Sequence, residues 1–532
     1  MQLGMLDVTI RDYINEQIKK IETSCEERIK EYQKTIKEYE FENLRLKEEN
    51  AYLLYKRFGR SAEQLLADEK QPLLFAEEEK NNKPADENEI SEVRSFKRKK
   101  KAGRKAIDHK LPREERIVDI PEEEKKCACG ANLTRIGEET SEKLHIIPPK
   151  IIVERITRPK YSCRCCEGTG DEEKKTIRIA PVEPSIIPRS IVSPSLLSTI
   201  IIQKYEDHLP YYRQEKQFKR IWVTISRQDM SNWQQKAYIK VSPLYKLLKE
   251  TMKTGPVIQM DETPVQVMGE EGRKDTQESY MWLARGGPPG KTVVLYEYRK
   301  TRAGEHARKL LEGYSGYLQT DGYEGYDKAV KDMPGIIHTG CFAHARRYFF
   351  EAVKVSGQGE TAKKGIEYIR MLYCVEKKLR EEKNDNKISD EQFLFERKKQ
   401  AEPILNDFKT WLLKVIDEVP PSIKLGKAIG YSLNQWDKLI RYLESPYLTP
   451  DNNACENAIR PFVLGRKNWL FCQSPEGAES SCGMFTLIET AKQNGLIPWN
   501  YLCEVFEKAP FAVTSEDWQK LLPWDEHFHR KN

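Results

Sequence analysis

The segment PVIQMDETPVQV, residues 256–267, decides how this chain is read. Before Gly255 the apolar residues recur at helical spacing; from there they alternate at the two-residue period of a strand. Four more segments follow in that rhythm: SYMWLARGG (279–287), KTVVLYEYRKT (291–301), GYLQTDGY (316–323) and GIIHTGCFAHARR (335–347). The first three of these five strands suit an antiparallel meander, with Gly287, Pro288 and Gly290 supplying a hairpin turn. A helix from about Ala303 to Leu311 separates the third strand from the fourth.

Three strands, a helix and a strand is the order of a ribonuclease-H-like core, in which the first and fourth strands are neighbours. Asp261 closes the apolar run of the first and Asp321 that of the fourth, so the two acids are expected side by side. A third acid is expected from a helix docking on the sheet. Pro450 and Asp451 offer the helix start. In NNACENAIRP (452–461), Asn452, Asn453, Glu456 and Arg460 share one face, while Cys455 and Ile459 are expected to pack on the sheet. Acids from three elements can gather two divalent cations, which stabilise the attacking and leaving oxygens of an in-line displacement at phosphorus. Mg²⁺ or Mn²⁺ suits carboxylates and phosphate oxygens. Arg346, with His344 and Arg347 beside it, and Arg460, Arg466 and Lys467 are candidate contacts to backbone phosphates. Each acid also has an ordinary alternative: a turn acid at Asp261, a turn dipeptide at Asp321-Gly322, and a surface pair of Glu456 with Arg460. Glu262, Glu324 and Asp327 lie close by as decoys.

Working outward, residues 251–351 form the first part of this core and residues 449–495 the second, with a segment 496–532 closing the chain. The gap from Asp321 to Glu456 is 456 − 321 = 135 residues and contains a long charged helical stretch, read as an α-helical insertion over 352–448. Upstream, 186–250 reads as a helix-turn-helix. Ser193-Pro194 starts one helix, Tyr211–Ile221 is a second, and Ser226 with Asp229 forms a capping box opening a third. Ile225, Met230 and Trp233 are expected inside, and Arg227, Gln228, Ser231 and Asn232 at the exposed end where a recognition helix meets base edges.

Residues 113–185 read as a zinc-binding β module. Cys127 and Cys129 form one close pair, and Cys163 with either Cys165 or Cys166 forms the other. Four thiolates in two pairs make a tetrahedral structural Zn²⁺ site. The intervening KLHIIPPKIIVERITRPKYSC alternates like a β-hairpin, and His145 reads as a sheet residue. Residues 68–112 turn from acidic to basic with little apolar content, the composition of a disordered linker. Its cations, Lys99, Lys100 and Arg104 among them, can track phosphates without reading sequence. Residues 1–67 carry a heptad seam: Ile29, Tyr32, Ile36, Tyr39, Asn43, Leu46, Asn50 and Leu53. Polar Asn43 and Asn50 fix register and favour a dimer, so a homodimer or higher oligomer is expected through this coiled coil.

The chain has 532 residues, too many for one core, and is expected to be an α/β multidomain protein. Its net charge of +6 does not by itself establish a nucleic-acid partner. No run of 18 apolar residues is present, and the start lacks the regions of a secretory signal, so no membrane partner and an intracellular location are expected.

KRFGRSAEQL, the CACG…YSCRCC pair, QKYEDHLPYYRQE, ISRQDMSNW, QMDETPVQV, LQTDGYEGYD, GCFAHARRYFFEA, NNACENAIRPFVLGRKNWLF and LIETAKQNGLIPWNYL together resemble the transposases of the insertion-sequence-66 family. These segments span almost the whole chain. The resemblance implies a DDE-type enzyme of a bacterial mobile element, with a zipper, a zinc segment and a ribonuclease-H-like catalytic domain. It implies binding to the element's terminal repeats and to target DNA, strand cleavage and strand transfer, and a cytoplasmic, nucleoid-associated location. It carries the catalytic triad onto Asp261, Asp321 and Glu456, and it suggests companion proteins of the same element. Asn457 departs from the family, which often has arginine after its glutamate. Two other readings stand beside it: a DNA-binding regulator with an inert core, and a metal-dependent nuclease that cuts without joining.

Overall fold

The structure, a computed structural model, describes residues 2–58, 151–162, 177–355 and 359–529. The basic linker with Lys99, Lys100 and Arg104, His145, and the five clustered cysteines (Cys127, Cys129, Cys163, Cys165 and Cys166) lie outside the described residues. The chain divides into two units: Met1–Ala62 with Glu183–Asn532, and Glu63–Val182.

Helix α1 (Gln2–Phe58) is a single span. Its seam residues Ile29, Tyr32, Ile36, Tyr39, Leu46 and Leu53 are all exposed. Glu48 reaches the backbone N–H of Lys424 with both carboxylate oxygens, at 2.8 and 2.9 Å.

In the smaller unit, β1 (Lys160–Ser162) pairs antiparallel with β2 (Ile177–Ile179). The expected hairpin within 143–163 is not what forms over its described part. Residues 151–159 carry no regular structure, and the strand pairs downstream across the second cysteine cluster. Pro159 lacks the N–H a ladder needs and marks the strand's start.

In the larger unit, α1 is followed by three helices, α2 (Pro194–Tyr205), α3 (Tyr211–Arg220) and α4 (Arg227–Lys253). Ser193 caps α2, and the Ser226–Asp229 capping box opens α4 as its sequence requires. Ile225, Met230 and Trp233 are buried. These helices share one continuous apolar core with the sheet that follows. A buried polar knot fastens them to the C-terminal half: Gln234 accepts from Tyr205 (2.7 Å) and donates to Ser480 (2.7 Å).

Strands β3 (Val257–Val267), β4 (Glu278–Gly286) and β5 (Val293–Arg299) form the antiparallel meander. After α5 (Gly304–Leu310), β6 (Gly316–Gln319) runs parallel to β3; after α6 (Glu324–Val330), β7 (Ile336–Thr339) runs parallel to β6. The strand order is β5-β4-β3-β6-β7. Helices α7 (Phe342–Val355), α8 (Gly359–Asn384), α9 (Asp390–Ile416), α10 (Lys424–Asn434) and α11 (Trp436–Ile440) follow and gather a second apolar core around Phe349, Phe408 and Trp436. The chain then returns to the sheet as α12 (Asn453–Trp469), β8 (Phe471–Cys472), which pairs with the end of β3, and α13 (Pro475–Gln493). Helices α14 (Pro498–Lys508), α15 (Ser515–Gln519) and α16 (Glu526–His529) complete the unit.

Strand β5 is the sheet's outer edge on the meander side, and its free backbone groups would invite pairing with another chain. Thr490 and Thr486, one turn apart on α13, accept from the N–H groups of Val294 (3.1 Å) and Tyr296 (2.9 Å). The helix thus satisfies the edge that a strand would otherwise seek. Among the described residues no helix is long and apolar enough to cross a membrane.

Candidate active site

The ladder fixes where the first two acids stand. Gln259 of β3 pairs with Gln319 of β6, and each acid follows its glutamine by two residues. Asp261 and Asp321 therefore leave adjacent parallel strands at the same height, about 5 Å apart along the hydrogen-bonding direction. Below them the two glutamines join: Gln259 donates to Gln319 (2.8 Å), which donates to the Thr449 carbonyl (2.7 Å). Arg285 donates to Gln259 at 3.2 Å. This buried amide chain locks both strands to the segment that leads into α12. The repeated Gln-x-Asp spacing was its visible signal in the sequence, and composition gave it no weight.

Glu456 comes from the first turn of α12. The helix is set by Asn452, which is 1% exposed and whose side-chain amide donates to the carbonyl of Met260 at 3.0 Å. Its own backbone N–H points to Cys341 Sγ at 3.2 Å. Asp451 accepts from the Asn453 N–H at 3.0 Å. Cys455 and Ile459 are buried on the sheet side, and Tyr296 of β5 donates to the carbonyl of Ala458. One helical turn beyond a residue bonded to Met260, Glu456 is carried towards Asp261.

The electrostatics agree with that placement. Burial pushes the Asp261 carboxyl up to about 8, and the charges of Glu262, Glu456 and Asp321 push in the same direction. Burial likewise raises Glu456, reinforced by Asp451 and Asp321 and opposed by Arg347 and Arg460. Among the described residues, no lysine or arginine forms an ion pair with any of the three acids. Asp261 accepts from the Glu262 N–H (2.8 Å) and Asp321 from the Tyr323 N–H (3.0 Å), while Glu456 Oε1 is buried without a hydrogen-bond partner.

The neighbouring acids are engaged elsewhere. Glu262 is bound by Arg302 at 2.6 Å and by the Tyr326 hydroxyl. Asp327 holds His338 (2.9 Å) and Lys438 (2.6 Å), and these two partners pull its carboxyl down to about 2. Glu324 is exposed at the start of α6. Glu262 and Asp327 are thus matched by cations, while the trio between them is ion-paired with no lysine or arginine among the described residues.

His344, on α7, brings its Nδ1 to 3.5 Å from Glu456 Oε1, too far to satisfy either atom. Burial first, and then Arg347, hold the imidazole down to about 4, so it is neutral at pH 7. Cys341, His344 and Glu456 place ligand-capable atoms all within 4.8 Å of one another. Of the two arginines on α7, Arg347 is exposed and acts on Glu456 and His344, whereas Arg346 is half-buried and interacts with Tyr373. The helical insertion closes one flank: Tyr431 of α10 lies so close to Gly322 that a Cβ there would meet its ring at 2.6 Å. Arg460 and Lys467 are exposed on α12, and Arg466 is half-buried with Thr263 at 3.4 Å. At the start of α4, Arg227 and Gln228 are exposed, and Gln228 donates to half-buried Asn232 at 3.0 Å, with Ser231 half-buried between them. These α4 residues are not among the partners of the acids.

Residues 189–480 match the family described as Transposase IS66 family. Residues 124–167, which contain the clustered cysteines, match the zinc-finger binding domain of transposase IS66. Residues 486–524 match the IS66 C-terminal element, and 45–116 match a segment described as Transposase C of IS166 homeodomain. Three proteins of Sinorhizobium fredii (strain NBRC 101917 / NGR234) are similar along most of their length. The uncharacterized protein y4qI is 30% identical over 79% of this chain and 77% of its own. The uncharacterized proteins y4jD and y4hP are each 29% identical, over 78% and 82% of this chain and 80% and 79% of their own. With more than half its length matched in one continuous block, and the flanking segments matched in order, the chain belongs to the IS66 transposase family.

Proposed function

We propose that this protein is a DDE-type DNA transposase whose ribonuclease-H-like core uses Asp261, Asp321 and Glu456 to hold two divalent cations, Mg²⁺ or Mn²⁺. The observation that carries this reading is the trio itself: three half-buried carboxylates from three separate segments, repelling one another and, among the described residues, ion-paired with no lysine or arginine. Such a cluster is costly unless cations complete it, and all-oxygen donors suit hard ones. Bound there, the ions supply Lewis acidity to the phosphodiester and its nucleophile.

The chain's residues then bind and orient. Arg347 and Arg460, both exposed and both acting on Glu456, offer guanidinium groups to the phosphates flanking the scissile bond. Arg466, Lys467 and Arg346 extend that contact set. Neutral His344 keeps its Nδ1 without a hydrogen-bond partner 3.5 Å from Glu456, free to serve a bound group. Arg227, Gln228, Ser231 and Asn232 read the element's terminal repeats, and Lys99, Lys100 and Arg104 hold DNA without sequence preference. In the first step, water adds to phosphorus at the element end and the bond to the element's 3′ oxygen breaks. That oxygen takes the proton and leaves as a 3′-hydroxyl, and the flank keeps a 5′-phosphate. In the second, this hydroxyl adds to a target phosphorus and displaces a target 3′ oxygen, to which its proton passes. Cys127, Cys129, Cys163 and either Cys165 or Cys166 hold one structural Zn²⁺. The α1 seam joins protomers so that two ends are processed together, with companion proteins of the element as further partners.

The test is cleavage and joining of labelled element-end DNA with Mg²⁺ or Mn²⁺, for wild type and Asp261→Asn. Metal-dependent nicking with joined products, lost in the variant, is expected. Retained cleavage by Asp261→Asn would sink the assignment. Nicking without joints would make the protein a nuclease, and binding without cleavage in both proteins would favour a regulator.

A further inference from the structure

Helix α3 ends in a hydrogen-bond pattern normally closed by glycine. The Val223 N–H bonds the Phe218 carbonyl at 3.0 Å, and the Trp222 N–H bonds the Lys219 carbonyl at 3.3 Å. These are the two bonds of a Schellman cap, and the residue after the C-cap must then turn left-handed. Here that residue is Trp222, at φ +65°. A bulky side chain at positive φ is strained, and glycine would relieve the strain at no steric cost.

Nothing inside the fold offsets the strain. Trp222 is 96% exposed, the most exposed large apolar side chain among the described residues. Its indole makes no ring contact or hydrogen bond there. The helix that ends in it and the start of α4 carry a cationic surface. Arg213, Lys216, Lys219 and Arg220 of α3 and Arg227 of α4 are all exposed, and none forms an ion pair among the described residues. The nearby acids are engaged with the backbone: Asp229 serves the capping box, and Glu215 accepts from the Arg227 N–H at 3.4 Å.

We propose that Trp222 is a stacking platform for an unpaired DNA base, held out from the α3–α4 turn while the surrounding cations take the adjoining phosphates. An aromatic face accepts any base, and cations supply the affinity for the backbone. Flat aromatic surface and positive charge in one exposed turn fit a frayed or single-stranded nucleic-acid end better than an apolar protein groove, which would desolvate five cations. The inference rests on the DNA-transposase reading and adds to it a contact with the opened element end.

The experiment compares wild type, Trp222→Gly and Trp222→Phe in binding a blunt element-end duplex and the same duplex carrying a short dT tail. A 2-aminopurine at the tail junction reports stacking. Trp222→Gly is expected to raise Tm by about 1–3 °C, because the left-handed strain is relieved. It should weaken tailed-duplex binding by about 5- to 100-fold, the worth of one stacked base. Blunt-duplex binding should change by less than about twofold, and Trp222→Phe should retain most of the stacking signal. A lower Tm in Trp222→Gly would make the indole a packing residue and overturn the proposal. So would equal loss on both duplexes, or loss of self-association with DNA binding intact. If the wild type binds neither duplex, the transposase reading itself fails; if it binds both and Trp222→Gly changes nothing, only this inference fails.

Discussion

Replacing Asp261 by asparagine should stabilise the metal-free protein while destroying its activity. In the fold the Asp261 carboxyl lies at about 8 against an ordinary 3.8. A carboxyl raised on folding contributes stability that is full below the unfolded value and is lost as pH rises through the folded one. Between those limits the loss runs at about 1.4 kcal/mol per pH unit, so by pH 7 it reaches about 4 kcal/mol relative to a neutral group of the same shape. Asparagine is that shape, and its oxygen can still accept from the Glu262 N–H. Its amide hydrogens need partners, which costs about 1–2 kcal/mol and leaves a net gain of roughly 2–3 kcal/mol. The assay is thermal unfolding in magnesium-free buffer, with zinc retained, from pH 5 to pH 8. The variant should melt about 3–6 °C above wild type at pH 7. The gap should widen towards pH 8, and adding Mn²⁺ should close it by stabilising the wild type alone. A variant no more stable than wild type, or a gap that does not grow with pH, would refute the account of Asp261 as a carboxylate held without its counter-charge.

Two further outcomes are expected. Asn452→Ala removes the bond to the Met260 carbonyl and frees the start of α12. It should cost about 1–2 kcal/mol, and a Mn²⁺ titration of cleavage should show the half-saturating concentration rising by roughly tenfold, more than the maximal rate falls. An unchanged metal requirement would remove Asn452 from the positioning role. Ile36→Asp places a charge in the exposed seam of α1. Sedimentation should show the oligomer lost, with the melting of the α/β unit unaltered; an unaltered sedimentation coefficient would take the seam out of assembly.

How far the sequence could be read depended on the range of the interactions involved. The five strands were legible because their two-residue period is local, and the side-by-side position of Asp261 and Asp321 followed from strand order. The Ser226–Asp229 box was legible because both partners lie within one turn. Glu456 could be placed on a helix facing the sheet, but the bond that aims it, from Asn452 to Met260, spans 192 residues and leaves no periodic trace. The threonines of α13 that cover β5 are equally remote from their strand. The turn at Trp222 failed for the opposite reason: the signal for a left-handed cap is glycine, and a tryptophan there hides the cap from any composition rule. The hairpin expected before Cys163 followed apolar alternation alone, and the prolines that interrupt it carry the stronger constraint.

Helix α7 gives a physical reason for placing a helical insertion between the second and third acids. Phe342, Ala345, Phe349 and Ala352 are buried in the insertion's own core. His344 and Arg347, on the opposite side of the helix, act at the acids. One rigid helix is therefore both a wall of the insertion and a wall of the site, so the insertion cannot shift without moving groups that act on Glu456. Lys438, just after α10, binds Asp327 at 2.6 Å, and Arg441 donates to the His338 carbonyl at 2.8 Å, which pins the same insertion to the sheet. At its far end, Glu351 of α7 pairs with Lys424 at 3.0 Å, whose backbone N–H is the one that Glu48 of α1 accepts from. The chain of contacts from α1 to the third acid is thus α1, the start of α10, α7 and Glu456. Each link is a charge or a packed face rather than a flexible loop. The proposed joining of protomers through α1 would consequently bear on the geometry at Glu456 itself.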